Sequence, residues 1–144
     1  MNIFQCSNSH QRLTQWIELR ESIQSLSLKE MCIEVDKWWQ MVPIINHHLH
    51  PDDISNWPNP WDLLNDNVYC YYARALGMAY TLKLSGVKEI SLVDAVDASG
   101  DEVVLVIVGK EYVLNYWPNT VVSNKSKDFV IKRNLNISSL LQRY

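Results

Sequence analysis

A chain of 144 residues has the commonest size for one domain, and its 47% hydrophobic and 20% charged residues exclude a disordered or fibrous chain. A net charge of -3, with basic residues spread out until Lys125, Lys127, Lys132, Arg133 and Arg143, argues against a dedicated nucleic-acid surface. No apolar run approaches the roughly 18–20 residues that cross a bilayer, so no membrane insertion is expected.

The three cysteines, Cys6, Cys32 and Cys70, form no CxxC pair, and no charged-then-apolar leader precedes the domain, so a reducing compartment is the expectation. Apolar residues at helical spacing, Leu13, Trp16, Ile17, Leu19 and Ile23, predict a helix over 11–25 with Ser9 as its cap. Ser27-Leu28-Lys29-Glu30 has the capping-box form and predicts a second helix running to Met41, before Pro43. Its Met31, Ile33, Val35, Trp38, Trp39 and Val42 are apolar on more than one side, so it should pack against two neighbours.

Residues 43–67 hold four of the five prolines together with Asp52, Asp53, Asn56, Asn59 and Asn65, and read as an irregular but ordered wrap. Within it, Trp57-Pro58-Asn59-Pro60-Trp61 is stiff before folding and should be buried on one side. A central helix is predicted from Val68 to Leu84, capped by Asn65, Asp66 or Asn67 and closed at Gly86. Its Ala73, Ala75, Gly77 and Ala79 leave small surfaces for a close neighbour.

Beyond Gly86 the period becomes strand-like: residues 90–93, 103–108, 112–116, 120–122 and 129–131, with a II′ hairpin at Gly109-Lys110. Helices first and an antiparallel sheet after make an α+β domain. It divides into a helical part (1–42), the wrap (43–67), the central helix with its sheet (68–135) and a C-terminal tail (136–144), which is either a short helix or an arm.

Two segments carry a resemblance. Tyr69-Cys70-Tyr71-Tyr72-Ala73-Arg74-Ala75-Leu76 places a cysteine near the start of the central helix, and Val108-Gly109-Lys110-Glu111-Tyr112-Val113-Leu114-Asn115 forms a hairpin. In that order, over about residues 60–122, they resemble transglutaminase-like domains of the papain-like cysteine-enzyme superfamily. The resemblance implies Cys70 as nucleophile, its thiol acidified by the helix N-terminus, and Asn115 as the residue that orients a histidine base.

That histidine is missing. His10, His47, His48 and His50 all precede Cys70, and the stretch where the family places the base reads Ser99-Gly100-Asp101-Glu102-Val103-Val104. Asp101 or Glu102, with an ordinary pKa of about 4, is poorly matched to a thiol at about 8.5. A histidine swinging in from the wrap is the remaining source of a base. Without the resemblance, Cys70 reads as a small buried hydrophobe. The histidines of the wrap, adjacent in an extended segment, point to opposite sides, so no metal site is expected. The absence of a phosphate-cradling glycine loop or nucleotide fingerprint leaves no cofactor or small-molecule substrate to expect.

The middle segment, W-P-N-P-W-D-L-L followed by Y-C-Y-Y-A-R-A-L-G-M-A-Y-T-L, is similar to small phage-encoded proteins with a degenerate transglutaminase-like fold. This implies a non-catalytic structural or assembly component of a virion, in the neck, tail or baseplate, found in the virion or host cytoplasm. Its partners would be other protein subunits. Six tryptophans are many for this length, and Trp38, Trp39, Trp57 and Trp61 are the candidate contact residues. The alternatives are a cysteine-dependent amide hydrolase or acyl transferase using Cys70, and a host-interaction protein binding through Trp57 to Trp61.

Overall fold

The computed structural model describes residues 2–45, 49–117, 120–124 and 128–144. Asn2 caps a four-residue helix, α1 (Ile3–Cys6), and Asn8 caps α2 (Ser9–Ile23), each in a reciprocal pair with a glutamine three residues on. The expected cap Ser9 is instead the first helical residue, because the Asn8 carboxamide reaches the Gln11 N–H. Ser27 caps α3 (Leu28–Trp39) as expected, accepting from the Glu30 N–H.

The wrap holds more regular structure than its prolines imply. A 3-10 turn (Ile54–Asn56) precedes α4 (Pro60–Asp66), which Asn59 caps with Pro60 in the first turn, where the missing N–H is harmless. Asn67, one of the three expected caps of the central helix, instead ends α4 in the left-handed conformation at φ 55°. Tyr69 then bridges Ile44 in parallel, and α5 (Tyr71–Leu84) starts three residues later than expected, with Cys70 at its N-cap.

Five antiparallel strands follow: β1 (Ile90–Val96), β2 (Glu102–Val108), β3 (Tyr112–Trp117), β4 (Thr120–Ser123) and β5 (Val130–Leu135), in the order β4-β3-β2-β1-β5. Gly109 and Lys110 both have φ of 60°, which fits a I′ turn rather than the expected II′. The apolar run of β2 is that of a central strand buried on both sides. Val104, Val106 and Val108 face the helices, and Leu105 and Ile107 face the opposite side, where Phe129 covers them. Phe129 thus precedes β5 and serves as a cover. At the β5 edge, a bulge at Lys132 and the charges of Lys132 and Arg133 oppose pairing with another sheet.

On the helical side, α5 lies over β1 and β2 while α3 lies over β3 and β4, with α2 and α4 packed outside them. The C-terminal residues form a short helix, α6 (Ser138–Leu141), that buries Leu140 and Leu141, and the Tyr144 ring packs on Trp61 and Tyr80.

A buried arginine ties the outer helices together. Arg12 donates from Nε to the Leu64 carbonyl at 2.7 Å, from Nη1 to Ser7 at 2.6 Å and from Nη2 to Asn65 at 3.2 Å. The Leu64 and Asn65 carbonyls belong to the last turn of α4, where intrahelical donors run out and the dipole favours a cation. Arg12→Met is therefore expected to lower stability by about 3 kcal/mol, since bonds to a charged group contribute about 1.5–3 kcal/mol each. Urea unfolding measures this; a change below about 0.5 kcal/mol would show the three carbonyls satisfied otherwise.

Candidate active site and its occlusion

Cys70 stands where the bridge to Ile44 gives way to α5, so its backbone is extended (φ -127°, ψ -178°) and its thiol sits at the positive end of a 14-residue helix. The side chain is only 5% exposed. Its Sγ accepts the backbone N–H of Leu49 at 3.4 Å, so the returning wrap passes directly over it.

Asn115 lies where the regular pairing of β3 with both neighbours is interrupted, at φ 65°, a left-handed conformation that asparagine tolerates better than most residues. Both ends of its buried carboxamide are engaged. Nδ2 donates to the Val104 carbonyl at 2.8 Å, and Oδ1 accepts from Arg74 Nε at 2.6 Å. Its backbone N–H donates to Asp36 Oδ1 at 2.9 Å. Arg74, one turn into α5 with its own N–H on the Cys70 carbonyl, thus connects the cysteine's helix to Asn115.

On β2 the register pairs Val104 with Asp94 of β1 while its carbonyl holds Asn115, and its side chain faces the helices. That side chain is apolar and 9% exposed. Asp101 and Glu102, the carboxylates considered as substitute bases, are exposed at the β1–β2 turn. Among the described residues no imidazole hydrogen-bonds Cys70 or Asn115. His10 is exposed on α2, and the exposed His50 accepts the Asp52 N–H on Nδ1. His47 and His48 lie outside the described residues. Cys32 is no substitute thiol: burial, then the Asp36 charge, pushes it up to about 12.

The sequence reading missed Asp36 and Arg74. The available signal was a charge on an otherwise apolar helical face, Asp36 among Cys32, Val35 and Trp39, and a lone arginine in the Ala- and Leu-rich α5. Asp36 is fully buried, and its Oδ2 has no hydrogen-bond partner among the described residues. Burial raises its carboxyl above the ordinary range, outweighing the Asn115 N–H, the Gln40 amide and the Arg74 charge, which lower it. A native pKa above the unfolded one means that the folded chain binds the extra proton. Stability should therefore fall as pH rises from about 4, the unfolded value, through the raised native value. Asp36→Asn, which mimics the neutral acid, should lose that fall. Urea unfolding across this range tests it, and parallel slopes for the two proteins would refute it.

The tryptophans divide by position. Trp39 and Trp57 are buried in the core, Trp38 is half-buried against Phe4, and Trp61 is 43% exposed. Of the four contact candidates, Trp61 is the one that presents a large surface to solvent, and the Trp57–Trp61 element is buried at its Trp57 end. No group of three or more His, Cys, Asp or Glu side chains able to hold a metal occurs among the described residues. No helix among them is long and apolar enough to cross a membrane.

No family model and no curated protein matches the sequence. Solved structures do resemble the fold. Calcium-bound LapG of Legionella pneumophila matches with a TM-score of 0.74 at 15% identity, over 90% of this chain and 77% of that one. EGTA-treated LapG matches with a TM-score of 0.72 at 15% identity, over 90% of this chain and 74% of that one. At this identity the likeness is one of architecture: the chain has an α+β transglutaminase-like fold, with Cys70 at the N-terminus of the helix packed on its sheet.

Proposed function

We propose that this chain is a non-catalytic transglutaminase-like scaffold that works by binding other protein subunits, as a structural or assembly component of a bacteriophage particle. The carrying observation is the occupancy of the site. Arg74 and the Val104 carbonyl engage both ends of the Asn115 carboxamide, and the β2 residue that holds it carries an apolar side chain. A carboxamide whose oxygen already accepts from a guanidinium and whose NH2 already holds a backbone carbonyl is committed to the fold rather than to a base, and a covered thiol without a base is an ordinary side chain. The similarity of residues 57–82 to small phage-encoded proteins supports the particle, and the half-exposed Trp61 is the contact residue. The test is an inventory of purified virions. The chain is expected at fixed stoichiometry, with incorporation unchanged by Cys70→Ser and reduced by Trp61→Ala; its absence from intact particles defeats the reading.

One observation favours a second reading, a cysteine-dependent amide hydrolase or acyl transferase. Cys70 occupies the N-cap of α5, at the positive end of the helix dipole, and the Leu49 N–H points at its sulfur. The base would come from His47, His48 or His50. Turnover of an amide substrate that disappears in Cys70→Ala would establish it.

A further inference from the structure

The covering of Cys70 has its own architecture. Residues 49–53 form a turn closed by the Asp53 N–H on the His50 carbonyl, followed by the 3-10 turn at residues 54–56. These backbone bonds are local, within three residues, so opening the segment need not break the pairing of the rest of the domain. Two anchors flank it: the Ile45 N–H bonds the Tyr69 carbonyl at 2.7 Å, and the Tyr80 hydroxyl bonds the Pro58 carbonyl at 2.8 Å.

Between those anchors the Leu49 and Ile54 side chains pack on the core, while the described polar attachments are few. The Leu49 N–H meets a sulfur, a weak acceptor, and the Trp57 indole N–H holds the His50 carbonyl at 2.9 Å. The third polar attachment is ionic: Arg133 Nη1 lies 3.3 Å from Asp52 Oδ1, joining the turn to the edge strand β5. Arg133 is itself held in place. Its Nε and Nη2 both donate to Asp94 Oδ2, at 3.1 and 2.9 Å, while Asp94 Oδ1 accepts from the Tyr72 hydroxyl at 2.8 Å. Burial, then the bond to Asp94, pushes the Tyr72 phenol up to about 12, so it stays a donor. One side of the latch is fixed to the sheet and to α5, and the other rides on a turn with few polar ties among the described residues.

We propose that the turn of residues 49–53 is a latched cover over the Cys70 thiol, held shut by the Asp52–Arg133 ion pair, and that it opens without unfolding of the domain. Segments with few buried contacts and local hydrogen bonds open at lower free energy than the core. The proposal concerns access to the thiol and holds whether or not Cys70 performs chemistry.

Cys32, fully buried in α3, provides an internal reference that reacts only on global unfolding. The full chain would be treated with iodoacetamide and the labelling rates of Cys70 and Cys32 followed by peptide mass spectrometry. Cys70 is expected to react faster than Cys32. Asp52→Asn, which keeps the side-chain shape, should accelerate Cys70 by about two- to five-fold, the scale of an exposed ion pair, and leave Cys32 unchanged. Salt at about 0.5 M should accelerate Cys70 in the parent chain and have little effect in the variant. Arg133→Gln, which also releases Asp94, should give a larger acceleration. Equal rates for the two cysteines overturn the proposal. So does a Cys70 rate insensitive to Asp52→Asn, or a rise in both cysteines together, since the pair would then act on the whole domain.

Discussion

Thr81→Val is expected to destabilise the domain by about 2–4 kcal/mol, although it exchanges one small β-branched residue for another of nearly equal volume. The Thr81 hydroxyl uses its full bonding capacity in the core. It donates to the Gly77 carbonyl at 2.7 Å and accepts the indole N–H groups of Trp16 and Trp39, each at 2.9 Å. Both indoles are fully buried, so in the valine variant two N–H groups face a methyl group with no water to turn to. A buried donor left unpaired costs about 1–3 kcal/mol. Thr81→Ser keeps the hydroxyl and should fall well short of that loss. Urea unfolding followed by tryptophan fluorescence compares the three proteins; a valine variant within about 0.5 kcal/mol of the parent would mean the indoles find other acceptors.

Gly77→Ala is the second large effect, and here two contributions oppose each other. Alanine in a helix interior is favoured over glycine by about 1 kcal/mol. A Cβ at position 77, however, would lie 2.5–2.7 Å from three ring carbons of Trp39, closer than van der Waals contact allows. The indole is a rigid fused ring, fully buried, with its N–H committed to Thr81, so it cannot yield at its tip alone. Overpacking of this kind costs about 1–3 kcal/mol, and the strained Trp39–Thr81 bond adds to it, so the clash outweighs the helix propensity. A net loss of about 2 kcal/mol is expected. A double-mutant cycle with Trp39→Leu should show strong coupling, because removing the ring removes the clash. A Gly77→Ala variant more stable than the parent would end the argument.

Both predictions concern one contact, and only half of it was visible in the order of residues. The small residues of the central helix implied a close neighbour, and the apolar second helix implied something large to bury. That Trp39 meets Gly77, and that Thr81 receives two indoles 42 and 65 residues away, depends on how α2 and α3 lie on α5. The same limit explains α4. Its prolines suggested irregularity, yet Pro60 falls in the first helical turn, and three candidate caps at 65–67 hid the end of one helix in the start of the next. In β5, Val130-Ile131-Lys132-Arg133-Asn134-Leu135 lost its alternation because the strand is an exposed edge with a bulge, so burial did not enforce a period of two.

At the site, Cys70 and Asn115 were legible because a helix start and a hairpin are local features. Their state was not. Asp36, the Val104 carbonyl and the Leu49 amide come from three other stretches of chain and Arg74 from the cysteine's own helix, and each closes off part of what the two residues could otherwise do.

The order of amino acids alone determined the α+β class, the helix that carries Cys70 and the absence of any histidine after it, since periodicity, capping and residue identity belong to short stretches. Only the tertiary structure decided that the thiol is covered, that both ends of the Asn115 carboxamide are engaged and that two tryptophans share one hydroxyl. Such facts depend on which groups compete for a partner once water is excluded, and that competition exists only in the folded chain.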